Sequence, residues 1–193
     1  MSLQWITVKR RLDLFIGIYR QSRKKWLKMF KVVDNFLDIN EFNNIKEIVL
    51  GDNFPWYYNE CITNQKDLKN KFYFTHHFYK DLDSRHTPGV SSEYFYLLKN
   101  LLIKIKCKSI IRIKANLHLN INKKQINQPH VDYSFSHKGC LFYLNDNNGS
   151  TYFEKKSVKP KANRVVFFDP SKKHSSSVCT DEKKRVNINF NYF

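Results

Sequence analysis

The sequence has 193 residues, of which 41% are hydrophobic and 16% aromatic, so its size and composition fit one folded domain and exclude a disordered chain. Its formal net charge of +17 raises nucleic acid, anionic membrane surfaces and acidic small molecules as partners. Because Lys and Asn are abundant while Gly, Pro and Ala are scarce, AT-rich coding alone would also produce this charge. The charge by itself therefore does not define a partner.

The cysteines and the apolar segments of the sequence indicate the cellular compartment in which the protein acts. Four cysteines stand far apart without a CxxC spacing, which predicts reduced thiols in a cytoplasmic protein. No apolar run approaches the roughly 18 residues that a transmembrane helix needs. The apolar stretch of residues 12–19 contains Asp13, and no small-residue cleavage site follows it. We therefore expect neither a membrane span nor a secretion signal.

The N-terminal segment is the most basic part of the chain. Residues 1–31 contain nine Lys or Arg residues and a single acid, Asp13. The pattern of residues 5–30 predicts a basic amphipathic helix, which would lie on an anionic surface, dock on the domain, or extend a shorter functional chain. We divide the chain into this N-terminal extension, residues 1–31, and one domain, residues 32–193.

Two further helices are predicted before the middle of the chain. Asp38 and Glu41 have the spacing of a capping box, and the apolar residues that follow them lie on one helical face. After an aromatic turn at residues 53–60, we expect a polar and aromatic connection over residues 64–90. An apolar stripe with helical spacing then runs from Tyr94 to Ile105, and core packing explains it fully.

From residue 110 the period of the apolar residues changes from 3.6 to 2. Apolar residues from Ile111 to Ile121 face one way, while polar residues, Asn116 and His118 among them, face the other. Shorter strands separated by turn residues are predicted at residues 139–145, 151–154, 164–169, 174–178 and 185–193. Short antiparallel strands after a helical portion predict an α+β fold whose strands close into a barrel or sandwich.

The stretch QPHVDY places His130 and Asp132 two positions apart, so both side chains would share one face of a strand. His174 begins a later predicted strand. Two imidazoles and one carboxylate suit a non-haem Fe(II) with open positions for a bidentate cosubstrate and O2, although zinc would accept the same ligands. Arg185 favours iron, because its guanidinium would hold the distal carboxylate of 2-oxoglutarate while the other end chelates the metal.

With these residues in this order, the sequence resembles the Fe(II)/2-oxoglutarate-dependent dioxygenase superfamily, most closely its prolyl 4-hydroxylase-like branch and the small forms found in marine phages. Residues 32–193 carry the resemblance, in the motifs PHVD, CLFYLN, NGSTYFE, PKANRVVFFDPSKKHSS and RVNINFNYF. The resemblance implies a double-stranded β-helix, a jelly-roll or cupin-like barrel, with supporting N-terminal helices. A phage protein would act in the cytoplasm of its host.

The resemblance also assigns roles to residues. It implies that His130, Asp132 and His174 bind iron and that Arg185 binds the far carboxylate of 2-oxoglutarate. Tyr143 occupies the position of a family tyrosine that helps to hold that carboxylate, and a core aromatic is the other interpretation of this residue.

The sequence departs from the family pattern at two places. Relatives usually have an aromatic donor in the strand before the HxD motif, where this chain offers Asn116 and His118, which we take as candidates for binding the cosubstrate. Asn163 stands where relatives commonly have Gly, and Asn tolerates a left-handed turn.

The other histidines have simpler interpretations. We expect His137 to be exposed in a loop. His76, His77 and His86 lie in a segment that, in this family, helps to cover the substrate opening, and a role on the protein surface is the simpler account of them.

The resemblance implies an oxygenase that uses Fe(II), 2-oxoglutarate and O2, with ascorbate as a reductant, and releases succinate and CO2 as it hydroxylates its substrate. A peptidyl, prolyl-type residue is the leading substrate class. Oxidation of nucleic acid is the alternative that the basic charge favours, and a salt-dependent affinity for DNA or RNA would support it. A non-enzymatic basic β-barrel that binds a partner is the third interpretation, which an anaerobic iron titration would separate from the others.

Overall fold

The computed structural model describes residues 30–61, 72–81 and 87–193, so the basic helix expected at residues 5–30 lies outside the described residues except for Phe30. In chain order the elements are β1 (Phe30–Val33), α1 (Ile39–Leu50), β2 (Tyr57–Asn59), β3 (Tyr73–Lys80), β4 (Gly89–Val90), a 3-10 helix (Glu93–Leu98), α2 (Lys99–Lys104), β5 (Ile110–Leu119), β6 (Lys138–Tyr143), β7 (Thr151–Phe153), β8 (Lys156–Val158), β9 (Arg164–Phe168), β10 (His174–Ser176) and β11 (Lys184–Tyr192).

The strands form two antiparallel sheets. The large sheet has the order β1-β9-β6-β11-β5-β3-β2, with β4 paired to β3, and the small sheet has the order β10-β7-β8. The α+β prediction is confirmed, and the five later strands predicted from the sequence are present with bounds that differ by a few residues at most. No helix in the described part of the chain has the length and hydropathy that a membrane crossing requires.

Side-chain alternation along β6 and β11 gives the large sheet two different faces. Phe142 of β6 and its partner Ile188 of β11 belong to the larger core, which the helices cover. Leu141 and Tyr143 point the other way and pack in a smaller core with residues of the short sheet. Asn189 and Asn187 are their partners on β11, so the face that looks toward the small sheet combines apolar and polar residues.

Helix α1 forms as its sequence predicts. The Asp38 side chain accepts a hydrogen bond from the backbone N–H of Asn40 at 2.9 Å and so caps the helix. Phe42, Ile45 and Val49 are buried, and the Phe42 ring meets Phe142 edge-on with 5.9 Å between ring centroids. The helix is therefore docked on the face of the large sheet that is opposite the small sheet.

Strand β3 is the main departure from the sequence prediction, which treated residues 64–90 as a connection. Its residues pair with β5, from Phe74 opposite Leu117 to Tyr79 opposite Ile113. The apolar periodicity is hidden because His76 points into the large core, where its ring lies 4.8 Å from that of Phe78. The strand therefore has histidines on both of its faces.

The second helical segment is shorter and less regular than the stripe from Tyr94 to Ile105 predicts. The Ser92 hydroxyl accepts a hydrogen bond from the N–H of Tyr94 at 3.1 Å, and a 3-10 helix follows before α2. Lys106 ends the segment with a φ of +57°. Leu97, Leu98 and other apolar residues of the stripe are nevertheless buried as expected.

Asn163 adopts the left-handed conformation that its sequence position predicts, with a φ of +60°. Its side chain also has a second role. The Asn163 carbonyl oxygen accepts a hydrogen bond from the Leu37 N–H, and the Asn163 amide donates to the Leu37 carbonyl, both at 2.9 Å and buried. This residue therefore ties the turn before β9 to the segment that leads into α1.

Candidate metal centre and cosubstrate pocket

Three of the residues singled out from the sequence meet on the face of the large sheet that looks toward the small sheet. One ligand atom from each of His130, Asp132 and His174 lies within 4.8 Å of the other two. His130 Nε2 is 3.8 Å from Asp132 Oδ1, and the two imidazole centroids are 4.5 Å apart. Within the described ranges this is the one group of three or more His, Cys, Asp or Glu side chains that would share an ion.

Backbone pairing brings the two histidines together. His130 and His174 form an isolated antiparallel bridge, in which each N–H donates to the carbonyl oxygen of the other residue at 2.9 Å. Each Nδ1 also lies near a carbonyl oxygen two residues earlier, that of Gln128 at 3.5 Å and that of Lys172 at 3.0 Å. Because a carbonyl only accepts hydrogen bonds, this arrangement places the proton on Nδ1 and leaves Nε2 free for a metal.

Asp132 is held as a carboxylate by its neighbours. Asn189 donates to Oδ2 at 3.1 Å, and the Arg112 Nη2 lies 3.3 Å from Oδ1. Burial alone would raise the pKa of Asp132, but the charge of Arg112 and the two neighbouring imidazoles lower it to about 2. Burial and the proximity of His174 lower the pKa of His130, which favours a neutral imidazole. Asp132 and His130 are thus in the protonation states that metal ligation needs.

A pocket extends from these three residues along the strands toward Arg185, and it encloses about 520 Å³ of space between protein atoms, its open mouth included. Its floor is made by alternate residues of β5 and β11, with His118 opposite Arg185 and Lys114 opposite Asn189. Because a strand rises about 3.4 Å per residue, Arg185 and Asn189 lie about 14 Å apart along β11. One end of the pocket therefore holds the candidate metal ligands, which we call the metal-binding end, and the other holds Arg185, which we call the arginine end.

Arg185 is the largest fully buried side chain among the described residues, with 1% of its surface exposed. Its Nη2 donates to the Thr151 hydroxyl at 2.8 Å, whereas its Nε is buried without a hydrogen-bond partner. No carboxylate within the described residues forms an ion pair with it. Burial lowers the pKa of Arg185, because a buried cation without a counter-charge is costly. The arginine end therefore suits an anion that the described part of the chain does not supply.

His118 and Asn116 both line the pocket, as their positions on β5 predict. Burial is the main reason that the pKa of His118 falls to about 3, with the charge of Arg185 adding to the effect, so the ring is neutral. Its Nδ1 is buried without a partner. Asn116 donates a hydrogen bond to the side-chain oxygen of Asn187 at 3.2 Å, in the middle of the floor.

Tyr143 is fully buried and lies behind the pocket, outside the residues that line it. Its hydroxyl and the Thr151 hydroxyl are 2.7 Å apart, and the Arg185 guanidinium carbon is 5.7 Å from its ring centroid. Burial raises the pKa of Tyr143, which keeps the phenol protonated. Tyr143 thus contacts the hydroxyl that holds Arg185.

Tyr73 is one of the pocket residues that the sequence analysis missed. It lies on β3, where no strand was predicted, and its ring stacks on His118 with 5.5 Å between centroids and 14° between planes. It supplies an aromatic hydroxyl to the wall for which the sequence offered only Asn116 and His118. The alternation of Tyr73, Thr75 and His77 along one face of β3 was the signal that would have revealed it.

The remaining histidines are explained by their contacts. The expectation that His137 is exposed is wrong, because 6% of it is accessible and its Nε2 lies 2.8 Å from the side-chain oxygen of Asn191. His76 is buried against Phe54, with its Nε2 2.7 Å from the Ser92 hydroxyl. His77 pairs with Lys114 beside the pocket, and His86 lies outside the described residues.

No protein-family model and no curated protein matches the sequence. Solved structures match over nearly the whole chain. One is an oxidoreductase of the 2OG-Fe(II) oxygenase family from Burkholderia pseudomallei, with a TM-score of 0.65 and 11% identity over 91% of this chain and 90% of that chain. Another is a prolyl hydroxylase from Trichoplax adhaerens in complex with a hypoxia inducible factor peptide fragment, with a TM-score of 0.58 and 15% identity over 100% and 94% of the two chains.

A third match is the non-heme alpha ketoglutarate dependent epimerase SnoN from nogalamycin biosynthesis, with a TM-score of 0.60 and 10% identity over 92% of this chain and 81% of that chain. At these identities the likeness is one of fold. The chain has the double-stranded β-helix fold of the 2OG-Fe(II) oxygenases, as the sequence resemblance implies.

Proposed function

We propose that this protein is an Fe(II)- and 2-oxoglutarate-dependent oxygenase that hydroxylates a peptidyl, prolyl-type residue and releases succinate and CO2. The observation that carries the proposal is the position of Arg185. This buried cation lacks a counter-charge among the described residues and stands at one end of a pocket whose other end holds His130, Asp132 and His174. The fold shared with 2OG-Fe(II) oxygenases supports the same function.

The three ligands fit Fe(II). Two neutral imidazoles and one carboxylate would occupy one side of the ion and leave positions open for a bidentate cosubstrate and O2. When bound, Fe(II) would supply the O2 activation and the oxidation of an unactivated C–H bond. Zinc accepts the same ligands, but a buried arginine at the far end of the pocket has no role in the chemistry of a hydrolytic zinc site.

The chain's own residues would bind and orient 2-oxoglutarate. Arg185 would hold its far carboxylate through its Nη2 and its unpartnered Nε, and the Thr151 hydroxyl fixes the guanidinium in place. His118 lies opposite Arg185 with a buried, unpartnered Nδ1 that suits the same carboxylate. Asn116 and the Tyr73 ring would line the stem of the cosubstrate and exclude water.

The substrate assignment rests on two similarities. The resemblance of the sequence to the prolyl 4-hydroxylase-like branch supports a peptidyl substrate, and the prolyl hydroxylase from Trichoplax adhaerens that shares the fold was solved with a peptide bound. The formal net charge of +17 favours nucleic acid as the second candidate substrate. We place the protein in the cytoplasm, where its four cysteines would stay reduced.

The test uses the full chain with Fe(II), ascorbate and 2-oxoglutarate. We expect anaerobic Fe(II) binding, succinate release that requires O2, and a gain of about one oxygen mass on a proline-bearing peptide detected by mass spectrometry. His174→Ala should abolish both the iron binding and the succinate release. A mass gain on oligonucleotides alone would favour the second candidate. If the protein neither bound iron nor released succinate, the proposed function would be wrong and a non-enzymatic binding module would be favoured.

A further inference from the structure

Lys114 is a cation in the wall of the same pocket, at the metal-binding end. It lies on β5 opposite Asn189, the residue that donates a hydrogen bond to Asp132. Its Nζ donates to the Tyr73 hydroxyl at 3.3 Å and lies 5.4 Å from the centroid of that ring. The ammonium group is therefore held inside the pocket by an uncharged partner, the Tyr73 hydroxyl, while the backbone of Lys114 lies opposite that of Asn189.

The charges around the pocket leave Lys114 without a counter-charge. Arg112 lies 3.3 Å from a carboxylate oxygen of Asp132 and 4.0 Å from one of Asp81, so this guanidinium is paired. In the proposed function, Arg185 is neutralised by the far carboxylate of 2-oxoglutarate. Fe(II) is likewise balanced by Asp132 and the near carboxylate. Within the described residues no carboxylate pairs with Lys114, so the loaded site keeps one positive charge there.

The charged groups that act on His77, the neighbour of Lys114 on β3, are three cations and one acid, Asp81. His77 lies opposite Lys114 on β3, and its pKa falls to about 4 because the ring is half-buried and because Lys114, Arg112 and Lys80 lie around it. His77 is therefore neutral at physiological pH and adds no charge of its own. A group bearing negative charge would be attracted to this side of the pocket.

We infer that Lys114 forms an anion subsite next to the metal and accepts the side-chain carboxylate of an acidic residue that flanks the hydroxylated position of a peptide. The inference rests on the proposed function and names the substrate class within it: a peptide in which Asp or Glu lies beside the oxidised residue. The Lys114 ammonium donates to that carboxylate, and the Tyr73 hydroxyl keeps the ammonium in place.

The surface beyond Arg112 favours a peptide over nucleic acid. A second cavity there, about 980 Å³ with its open mouth, is lined largely by apolar and aromatic residues, including Ile111, Tyr133, Phe135 and Phe193. The rings of Phe135 and Phe193 stack with 6.2 Å between centroids, and both residues are exposed. Nucleic acid takes a track of cations for successive phosphates. A groove whose lining is mostly apolar, with Lys80 and Asp81 as its charged residues, fits a peptide chain better than a series of phosphates.

The test measures binding of fluorescent peptides to the full chain with Mn(II), both with and without 2-oxoglutarate, in the absence of O2. Two proline-bearing peptides differ only in Asp or Asn beside the proline. We expect the wild-type protein to bind the Asp peptide about tenfold more tightly, because a charge-assisted hydrogen bond is lost with Asn. Lys114→Met should remove the preference, Lys114→Glu should reverse it toward a Lys-bearing peptide, and Lys156→Met, an exposed control on β8, should keep it.

Three results would overturn the inference. The first is equal binding of the Asp and Asn peptides, or no binding of either, by the wild-type protein. The second is a tenfold loss of 2-oxoglutarate affinity in Lys114→Met without peptide, which would assign Lys114 to the cosubstrate. The third is an oligonucleotide whose binding depends on Lys114. Failure of the wild-type protein to bind 2-oxoglutarate overturns the proposed function instead, because the Asp preference is also measured with Mn(II) alone.

Discussion

His130 and His174, 44 residues apart in the sequence, face each other across a single antiparallel bridge with two backbone hydrogen bonds of 2.9 Å. Residues directly opposite each other in such a pair project to the same side, so both imidazoles point into one space. The backbone thus sets the separation of the two rings before any ion binds. Asp132 enters the same space two residues after His130, and Arg112 and Asn189 hold its carboxylate.

This arrangement predicts a graded loss of metal affinity. His174→Ala removes a ligand and should weaken Mn(II) binding by more than the roughly 10- to 100-fold expected for Asn189→Ala, which removes only a residue that supports Asp132. Calorimetric titration of Mn(II) measures both losses. His137→Gln is the matched histidine control, since His137 contacts Asn191 and is not a member of the group. Equal affinities in all three variants would contradict the ligand assignment.

Arg185→Met should separate stability from cosubstrate binding. The variant replaces a buried cation that has no counter-charge among the described residues, so the melting temperature of the unliganded protein should stay the same or rise. The affinity for 2-oxoglutarate should fall by about 10- to 100-fold, because the charge-assisted hydrogen bonds to its far carboxylate are lost. Thermal unfolding with and without 2-oxoglutarate, in the presence of Mn(II), measures both effects. If 2-oxoglutarate raised the melting temperature of Arg185→Met as much as that of the wild-type protein, Arg185 would not bind the cosubstrate.

The sequence predicts most of the later strands because their apolar residues alternate and turn residues separate them. It fails at β3, where Thr75, His76 and His77 follow one another and hide the alternation. The two histidines have different surroundings: His76 contacts the Pro55 carbonyl and the Ser92 hydroxyl, whereas His77 pairs with Lys114 beside the pocket. These partners come from distant parts of the chain, so a local pattern does not indicate them.

Asn163 offers a test that separates backbone conformation from hydrogen bonding. Asn163→Gly keeps the left-handed turn but loses both buried hydrogen bonds to Leu37. The free energy of unfolding should therefore fall by about 2–4 kcal/mol. Asn163→Ala loses the same bonds and also places a Cβ at a φ of +60°, which should cost about 1 kcal/mol more. Urea denaturation of the two variants measures the difference. Equal stabilities would show that the φ value carries no cost at this turn.

The protein should lose stability as the pH falls from about 6.5 to 4. Burial lowers the pKa of His76, and burial with the nearby cations lowers that of His77 to about 4. The unfolded chain therefore binds protons first, below the ordinary value of about 6.5, and this favours unfolding until the folded histidines titrate as well. Melting temperatures at several pH values measure the slope.

If the histidines cause this loss of stability, the melting temperature of His77→Gln should fall less steeply between pH 6.5 and 4 than that of the wild-type protein. The pairing of Asp34 with Arg164 does not act in this range, because the hydrogen bond from Arg164 lowers the pKa of Asp34 below its ordinary value. Its stabilising effect is present above that ordinary value and disappears only in stronger acid. A slope between pH 6.5 and 4 that is identical in His77→Gln would contradict the role of His77.

The residues of the candidate site differ in how far the sequence reveals them. His130, Asp132, His174 and Arg185 were found because their chemistry and their order in the strands are informative. Tyr73, Lys114 and Arg112 were not, because their relation to the site depends on how β3 registers against β5 and on which loop follows His130. Tyr143 illustrates the reverse case. Its motif predicts a contact with the cosubstrate, and the structure places it one layer behind, against Thr151.

Strand β11 lies between β5 and β6, and it carries Arg185, Asn187 and Asn189 into the pocket. During synthesis, both neighbouring strands leave the ribosome while the place between them is still vacant. Each then presents an open edge to other nascent chains until residues 184–192 emerge and insert. Production at low temperature or with chaperones should therefore raise the yield of folded protein, since β11 follows both of its neighbours in the chain and closes the middle of the sheet.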